Sequence, residues 1–491
     1  MKYHHHTTPE EAKTTPSKVA LWAHALTQLH ARIAPRFARP EPRRRALAYL
    51  QGLLSSIERK NGWQLAEHAR EATPYGMQRL LSQAVWDVDL VRDDLRDYVY
   101  EHLGGQGFYC LGILVIDETS FPKRGDKSAG VQVQYCGTTG QVENCQVAVL
   151  LDYVTARGHA LIDRELYLPK EWIDDPERCR EAGIPETVRF QTKCELARQM
   201  VERVWKAQIP ISWVVADTVY GSNLDLRTWL EAHGYQYVLA VACDEPVGIR
   251  TSDGRRRQVE VREVEALKLH AQDWQRLSMS DGTKGPRLFD WACVPILHRW
   301  EDDGCHWLLI RRCINDPKQK TYYFVFALPG TTLQEMVKAI GARWRIEEDF
   351  ETGKDMGLDQ YEVRCWIGWY RHMTLVMLAH AFLAIICAEN GNASVVGAST
   401  PSIPSTISVV DASPPLSVPR MPPMIPTPKA SPSLPALEAA PLTVPEVRHL
   451  LGHLIWPSAC NAKLVLAWSG WRRRHRGMAS YYHTKRRLEA G

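Results

Sequence analysis

With 491 residues, 45% of them hydrophobic and 24% charged, and a formal net charge of +4, the chain is long enough for several buried cores and has the balance of an ordinary water-soluble protein. Its twelve cysteines include no CxxC pair, which excludes ribbon-type zinc and thioredoxin-type redox motifs and fits reduced thiols. The N-terminus Met1-Lys2-Tyr3-His4-His5-His6 has no apolar leader, and the most apolar stretch, Met373–Ala388, falls short of the roughly 20 residues a bilayer requires, so the expectation is a cytoplasmic protein with a buried core helix there.

Residues 16–103 carry helical periodicity broken at Pro35, Pro40, Pro42, Gly62 and Pro74, which predicts an all-α N-terminal domain over 1–106. Within it, Trp63–Ala69 and Pro74–Leu81 read as two short helices across a tight turn, either a DNA-docking helix-turn-helix or a plain helical hairpin. Six arginines in residues 31–45 stand against Glu41 alone, a block that suits phosphate backbones or a solvated face. From Gly112 the pattern changes to strands at 112–117, Val131–Tyr135 and Gln146–Tyr153, separated by Gly-containing turns. A helix over Thr192–Ala207, a strand ending at Asp217, a helix over Leu224–His233 and a strand Tyr237–Val241 follow.

This β-β-β-α-β-α-β order resembles the ribonuclease H-like fold. The expected class is therefore α/β (α+β): a ribonuclease H-like core over 107–244, interrupted by a β-rich insertion over 245–330 and resumed by the last core helices over 331–395. The insertion ends in a strand at Thr321–Ala327, and its Trp291, Trp300 and Trp307 read as sheet core or as platforms for a base. A single helix is predicted over Leu333–Met356. Residues 396–440 are rich in Pro and Ser and read as a disordered linker. A basic C-terminal segment, 441–491, closes the chain; its residues 463–487 hold eight Lys or Arg, among them Arg472, Arg473 and Arg474, and no acid.

Three acids stand out. A run such as Ile113–Ile116 reads as a strand buried on both faces, and nothing in its packing asks for a carboxylate next to it. Asp117 follows that run and Asp217 follows Trp213–Ala216. Each alone is consistent with a helix cap or a turn. With Glu347 on a helix they form the set needed to hold two divalent cations for in-line phosphoryl transfer. Arg343, Glu347, Phe350 and Lys354 are spaced to share one helix face, where cations above and below an acid suit phosphate contacts; two solvent-facing ion pairs would give the same spacing. Glu348 points about 100° away from that face. Glu118 is sent to the opposite side of its strand from Asp117. An all-carboxylate site favours two Mg2+, with Mn2+ as a substitute. Lys123 and Arg124, in the turn after the first strand, are candidate contacts to a DNA backbone.

The motifs Val115-Ile116-Asp117-Glu118-Thr119, Ala216-Asp217-Thr218-Val219-Tyr220-Gly221 and Arg343-Trp344-Arg345-Ile346-Glu347-Glu348 with Lys354 resemble the three acidic motifs of DDE transposases from bacterial insertion sequences, and the insertion sequence 701 type in particular. A related group bears a Tyr-x2-Arg-x3-Glu-x6-Lys signature, which Arg343, Glu347 and Lys354 satisfy while Ile340 stands at the tyrosine position. The resemblance covers most of residues 45–390 and Trp468–His475. It implies a DNA transposase in which Asp117, Asp217 and Glu347 are catalytic and bind the metal, and in which Arg343, Lys354, Lys123, Arg124, Arg472, Arg473 and Arg474 contact DNA. The implied partner is double-stranded DNA, both element ends and target, bound by a homodimer at the nucleoid of a bacterial cytoplasm. The alternative is a catalytically silent, transposase-derived DNA-binding protein, against which the retention of all three acids with Lys354 speaks. A carboxylate hydrolase such as a glycosidase is disfavoured by the basic blocks.

Overall fold

The computed structural model describes residues 14–104, 111–282, 285–391, 442–456 and 466–475, together with 478, 482 and 485. The expected linker over 396–440 lies outside the described residues, as do His4, His5 and His6. The N-terminal region is all-α, as expected: α1 (Pro16–Ile33), α2 (Pro40–Leu54), α3 (Gly62–His68), α4 (Tyr75–Ser82) and α5 (Val88–Leu103). Side chains start these helices. Thr15 accepts from Lys18 N ahead of Pro16, Asn61 accepts from Trp63 N and Gln64 N, and Asp87 accepts from Asp89 N and Leu90 N. On α1 the buried residues Val19, Trp22, Leu26, Leu29 and Ile33 recur at three- and four-residue intervals, the stripe that drives the helix onto its neighbours.

The core begins with β1 (Gly112–Pro122), β2 (Gln132–Cys136), β3 (Gln141–Val154) and β4 (His159–Tyr167). Short helices α6 (Lys170–Ile173) and α7 (Pro176–Glu181) lead to α8 (Lys193–Lys206), whose start is a capping box between Thr192 and Glu195. Then come β5 (Ile211–Ala216), α9 (Thr218–Gly221), α10 (Leu224–Ala232) and β6 (Tyr237–Val241). In space these strands run β4-β3-β1-β5-β6, with β3 antiparallel to β1 and β4, and β1, β5 and β6 mutually parallel. That is the ribonuclease H-like order; β2 is an added edge strand on β3.

Two strand expectations need correction. β1 does not end at Asp117 but runs to Pro122, because β3 pairs with it along its whole length while β5 pairs only as far as Ile116. β4 was not foreseen, since its sequence His-Ala-Leu-Ile-Asp-Arg-Glu-Leu-Tyr carries charges on what proves to be buried surface. Asp163 is buried between Arg92 at 3.4 Å and Arg203 at 2.7 Å, and Arg164 is buried against Thr374 at 3.0 Å. Charges buried in partnered sets of this kind escape a hydrophobic pattern.

The region after β6 contains a small hairpin, β7 (Pro246–Arg250) and β8 (Arg256–Glu260), then α11 (Val264–Lys268), β9 (Gln275–Gly282), β10 (Gly285–Pro295), β11 (His306–Arg312) and β12 (Lys320–Phe326). β12 pairs antiparallel with β6, and β11, β10 and β9 follow outward, so the β-rich stretch extends the core sheet to ten strands. Trp291 is fully buried in that sheet, whereas Trp300 is exposed at a hairpin tip.

The helix expected over 333–356 is two, α12 (Leu333–Gly341) and α13 (Trp344–Asp355). A Cβ on Gly341 would lie 2.0 Å from the Met279 carbonyl oxygen of β9, so the break sits where the chain must pass against a strand backbone. α14 (Trp366–Gly391) is long and apolar enough to cross a membrane, but 89% of its apolar window is buried within the protein, against α5, α2, α4, α13 and β4. Its polar residues are partnered inside: His372 with Tyr49 at 2.8 Å and with the Gly357 carbonyl at 2.9 Å, and Arg371 with the carbonyls of Leu81 and Trp86. α15 (Val444–Leu454) buries Val447 and Leu451 against α14, α1 and α2. A helical stretch at 466–475 packs on α3: Trp468 donates to the Glu71 carbonyl, Trp471 meets the Trp63 ring edge-on at 4.8 Å, and Arg472 pairs with Glu67 at 2.6 Å.

Candidate catalytic site

β5 stops at Ala216, and beyond Ile116 β1 has no parallel neighbour on that side, which leaves a notch at the carboxyl ends of the parallel strands. Asp117 is the first β1 residue past the β5 pairing. Asp217 is the first residue after β5, where it caps α9 through Val219 N at 3.0 Å. The capping role that is its plainer alternative is thus real, and it engages one oxygen, leaving the second without a hydrogen bond among the described residues. α9 lies close under β6, since a Cβ on Gly221 would meet the Ala240 carbonyl oxygen at 1.8 Å. The parallel pairing of Ile116 with Ala216 sets Asp217 beside Asp117. Carboxylate oxygens of Asp117, Glu118 and Asp217 lie within 4.8 Å of one another.

Glu347 approaches from α13 through Arg343. The Arg343 guanidinium donates to Asp117 Oδ2 at 3.1 Å and to Glu347 Oε1 at 2.7 Å, bridging strand and helix as a fork. The i,i+4 pairing of Arg343 and Glu347 follows from the spacing in the sequence. Phe350 on the same face is buried, and Lys354 reaches Thr138 Oγ1 at 3.3 Å. Thr138 in turn donates to the Ser120 carbonyl, three residues beyond Asp117 on β1.

Glu118 was set aside on strand alternation. Its carboxylate nevertheless lies in the same group as Asp117 and Asp217, accepting from Tyr220 Oη at 2.8 Å and Lys193 Nζ at 2.7 Å. Tyr220, fully buried, was also missed. Its place in Asp217-Thr218-Val219-Tyr220-Gly221 was the available signal.

The electrostatics show a shortage of positive charge. Burial pushes Asp117 up to about 7, with Arg343 drawing it back and Asp217 adding to the rise. Asp217 is raised by burial and then by the charge of Glu118. Against Asp117, Glu118, Asp217 and Glu347, direct ion pairs come from Arg343 and Lys193 alone among the described residues. An all-oxygen set with unmet negative charge fits a hard divalent cation, held first by Asp117 and Asp217.

The other predicted contacts are dispersed. Lys123 lies 3.4 Å over the Tyr361 ring, and burial lowers its amine to about 8. Arg124, Arg473 and Arg474 are exposed, whereas Arg472 is taken up by Glu67.

Behind the site, α13 is held by a second polar cluster. His159 Nδ1 lies 2.7 Å from the buried carboxylate of Asp349, its Nε2 lies 3.4 Å from Glu348, and His380 is 3.4 Å from Asp349. Asp152, fully buried, joins the group within 4.8 Å. Burial and then the charge of Asp349 push the Asp152 carboxyl well above the ordinary carboxylate range. Burial works against a charged His159, yet Asp349 and Glu348 raise it to about 10. Thus Glu348 helps fix the helix that presents Glu347.

The profile of the DDE superfamily endonucleases matches residues 32–286, more than half of the chain, and that of the transposase DDE domain matches residues 191–382. The probable transposase for insertion sequence element IS701 of Microchaete diplosiphon is 24% identical over 314 residues, 63% of this chain and 74% of that protein. The cryo-EM structure of a piggyBac transposase synaptic complex with hairpin DNA aligns over 79% of this chain and 78% of its own with 11% identity and a TM-score of 0.37, a distance at which no shared detail follows. The resemblance read from the three acidic motifs is thereby borne out, and the chain belongs to the DDE superfamily of endonucleases.

Proposed function

We propose that this protein is a DNA transposase that cleaves the ends of its insertion sequence and joins them to target DNA, with Asp117, Asp217 and Glu347 as its catalytic carboxylates. The observation that carries this reading is the notch, where Asp117 and Asp217 converge at the ends of parallel strands and Arg343 ties Glu347 to Asp117. Two Mg2+, or Mn2+ in their place, would supply the Lewis acidity that activates a water or a 3′-hydroxyl and neutralises the leaving oxygen. Asp217, fixed by its capping bond, and Asp117, fixed in the sheet, form the rigid side of the site. Glu347 sits on the helix side and joins them when Arg343 releases it. Arg343 can then offer its fork to the scissile phosphate, a geometry a lysine could not reproduce. Lys354, Lys123 and Arg124 contact the DNA backbone past Asp117, and Arg473 and Arg474 do so from the C-terminal helix, joined by Arg472 when it leaves Glu67. Double-stranded DNA is the partner, and the need to hold two ends together implies a homodimer on the nucleoid.

The test is cleavage of a labelled duplex bearing the element's ends, in Mg2+ and in EDTA, by wild type, Asp217→Ala and Glu347→Ala. Metal-dependent nicking at the ends, abolished in both variants while DNA binding survives, is expected. Tight binding without cleavage in either Mg2+ or Mn2+ would identify a transposase-derived DNA-binding protein instead.

A further inference from the structure

The pairing of β1 with β5 reaches Ile116 and Ala216 and stops one residue short of the two aspartates of the notch. Glu118 supplies a link beyond that point. Its N–H donates to Asp117 Oδ1 at 2.8 Å. Its side chain accepts at Oε2 from Tyr220 Oη at 2.8 Å, and Tyr220 belongs to α9, the short helix that Asp217 caps. One residue thus holds the Asp117 carboxylate through its backbone and the Asp217 turn through its side chain.

The start of α8 closes the same group. Lys193 Nζ donates to Glu118 Oε1 at 2.7 Å, and the Cys194 thiol donates to the Val219 carbonyl of α9 at 3.4 Å. Both donors stand in the first turn of α8, which the capping box of Thr192 and Glu195 fixes. Tyr220 is fully buried, and the Lys193 and Glu118 side chains are 27% and 20% exposed, so water competes little with these bonds. Hydrogen bonds to an ionised carboxylate in such a place are strong and directional. Stability alone does not account for the acid, because Glu118 adds a third carboxylate within 4.8 Å of two others, where like charges repel. Nor is it placed as a free ligand, since an ammonium engages one of its oxygens and a phenol the other. Negative charge kept beside a cation-binding pair, with both oxygens tied down, suits a residue that orients ligands from behind them.

We propose, on the reading of the notch as a metal-dependent catalytic site, that Glu118 is a positioning residue: held by Tyr220 and Lys193, it sets the spacing of Asp117 and Asp217 and so the affinity of the notch for a divalent cation. The brace runs from β1 through α8 to α9 and needs no contribution from Glu347, so the rigid side of the site is assembled before α13 supplies its carboxylate.

The test is Mn2+ binding to the full chain, followed by electron paramagnetic resonance, with end cleavage measured against Mg2+ concentration in parallel. The variants are Glu118→Gln, Tyr220→Phe, which deletes only the hydroxyl, and Asp117→Asn/Asp217→Asn as the control for the notch. Glu118→Gln and Tyr220→Phe are expected to bind Mn2+ about 10- to 100-fold more weakly. They should need correspondingly more Mg2+ for half-maximal cleavage and regain the wild-type rate at saturating Mn2+, while metal-free melting temperature and DNA binding in EDTA stay as in wild type. If Glu118→Gln does not fold, Tyr220→Phe decides. A merely structural role would lower melting temperature and rate together with no rescue by Mn2+; that result, or wild-type Mn2+ affinity in these variants beside a double variant that has lost it, would overturn the proposal and leave the notch standing. Wild type that binds no Mn2+, or a double variant that binds it like wild type, would overturn the reading of the notch itself.

Discussion

Two clusters of acidic residues share the same scaffold and behave in opposite ways. Asp117 and Asp152 belong to adjacent strands, β1 and β3, and Asp152 faces Val115, two residues before Asp117. Glu347 and Asp349 are two residues apart on α13. In the inner cluster His159 and His380 meet Asp349, and burial pushes the Asp152 carboxyl well above the ordinary carboxylate range, which favours its neutral form. In the outer cluster four carboxylates share Arg343 and Lys193, and Asp117 is pushed up to about 7 by burial. Residue type alone does not mark a site for a cation. What marks it is a shortage of internal positive charge at a place where a neighbouring strand has ended and solvent or substrate can enter.

The comparison breaks first at the outer cluster. Asp117→Asn and Asp217→Asn should each lower end cleavage by roughly 10^4-fold, as for residues acting as a unit, without lowering the melting temperature, because each removes a carboxylate that burial disfavours. Retained cleavage in either variant would place the chemistry elsewhere. Next comes Asp349→Ala, which leaves a buried charged His159 without its partner and should cost about 3–5 kcal/mol in urea unfolding. Asp152→Asn keeps a neutral donor at the same position and should cost no more than about 1 kcal/mol, sharpening the assignment of the proton to Asp152.

pH offers a third handle. His159 is raised from its ordinary 6.5 to about 10 in the fold, so its contribution to stability is complete below about 6.5 and is lost as pH climbs through about 10. Wild type should therefore lose more melting temperature between pH 7 and pH 10.5 than His159→Gln; parallel curves would refute a charged His159. The smallest expected effect is at the C-terminal helix. Arg472→Ala removes a partly exposed pair with Glu67 and should change stability by about 0–1 kcal/mol.

The sequence made some of this plain. Tyr237–Val241 is β6 to the residue, and Thr192 with Glu195 announces α8 through a capping box, because local chemistry decides both. What stayed hidden depends on distant partners. β4 carries Asp163 and Arg164 on buried surface, tolerable only because Arg92, Arg203 and Thr374 arrive from other elements. The break between α12 and α13 falls at Gly341, where the backbone passes against the Met279 carbonyl of β9, a contact the local sequence does not reveal. The acids of the notch were legible one by one. Glu118 was not, since alternation along a strand says which side a residue leaves from and not where its neighbour stops.

The contact of the 466–475 helix with α3 has a consequence for the order in which the molecule is completed. Trp468 lies 397 residues beyond the Glu71 carbonyl to which it donates, and Trp471 covers Trp63. During synthesis α1–α5 emerge before the sheet and can fold early, yet the 466–475 helix reaches α3 only after the whole sheet and α12–α15 have been made. The helical region is therefore made before the sheet and finished after it.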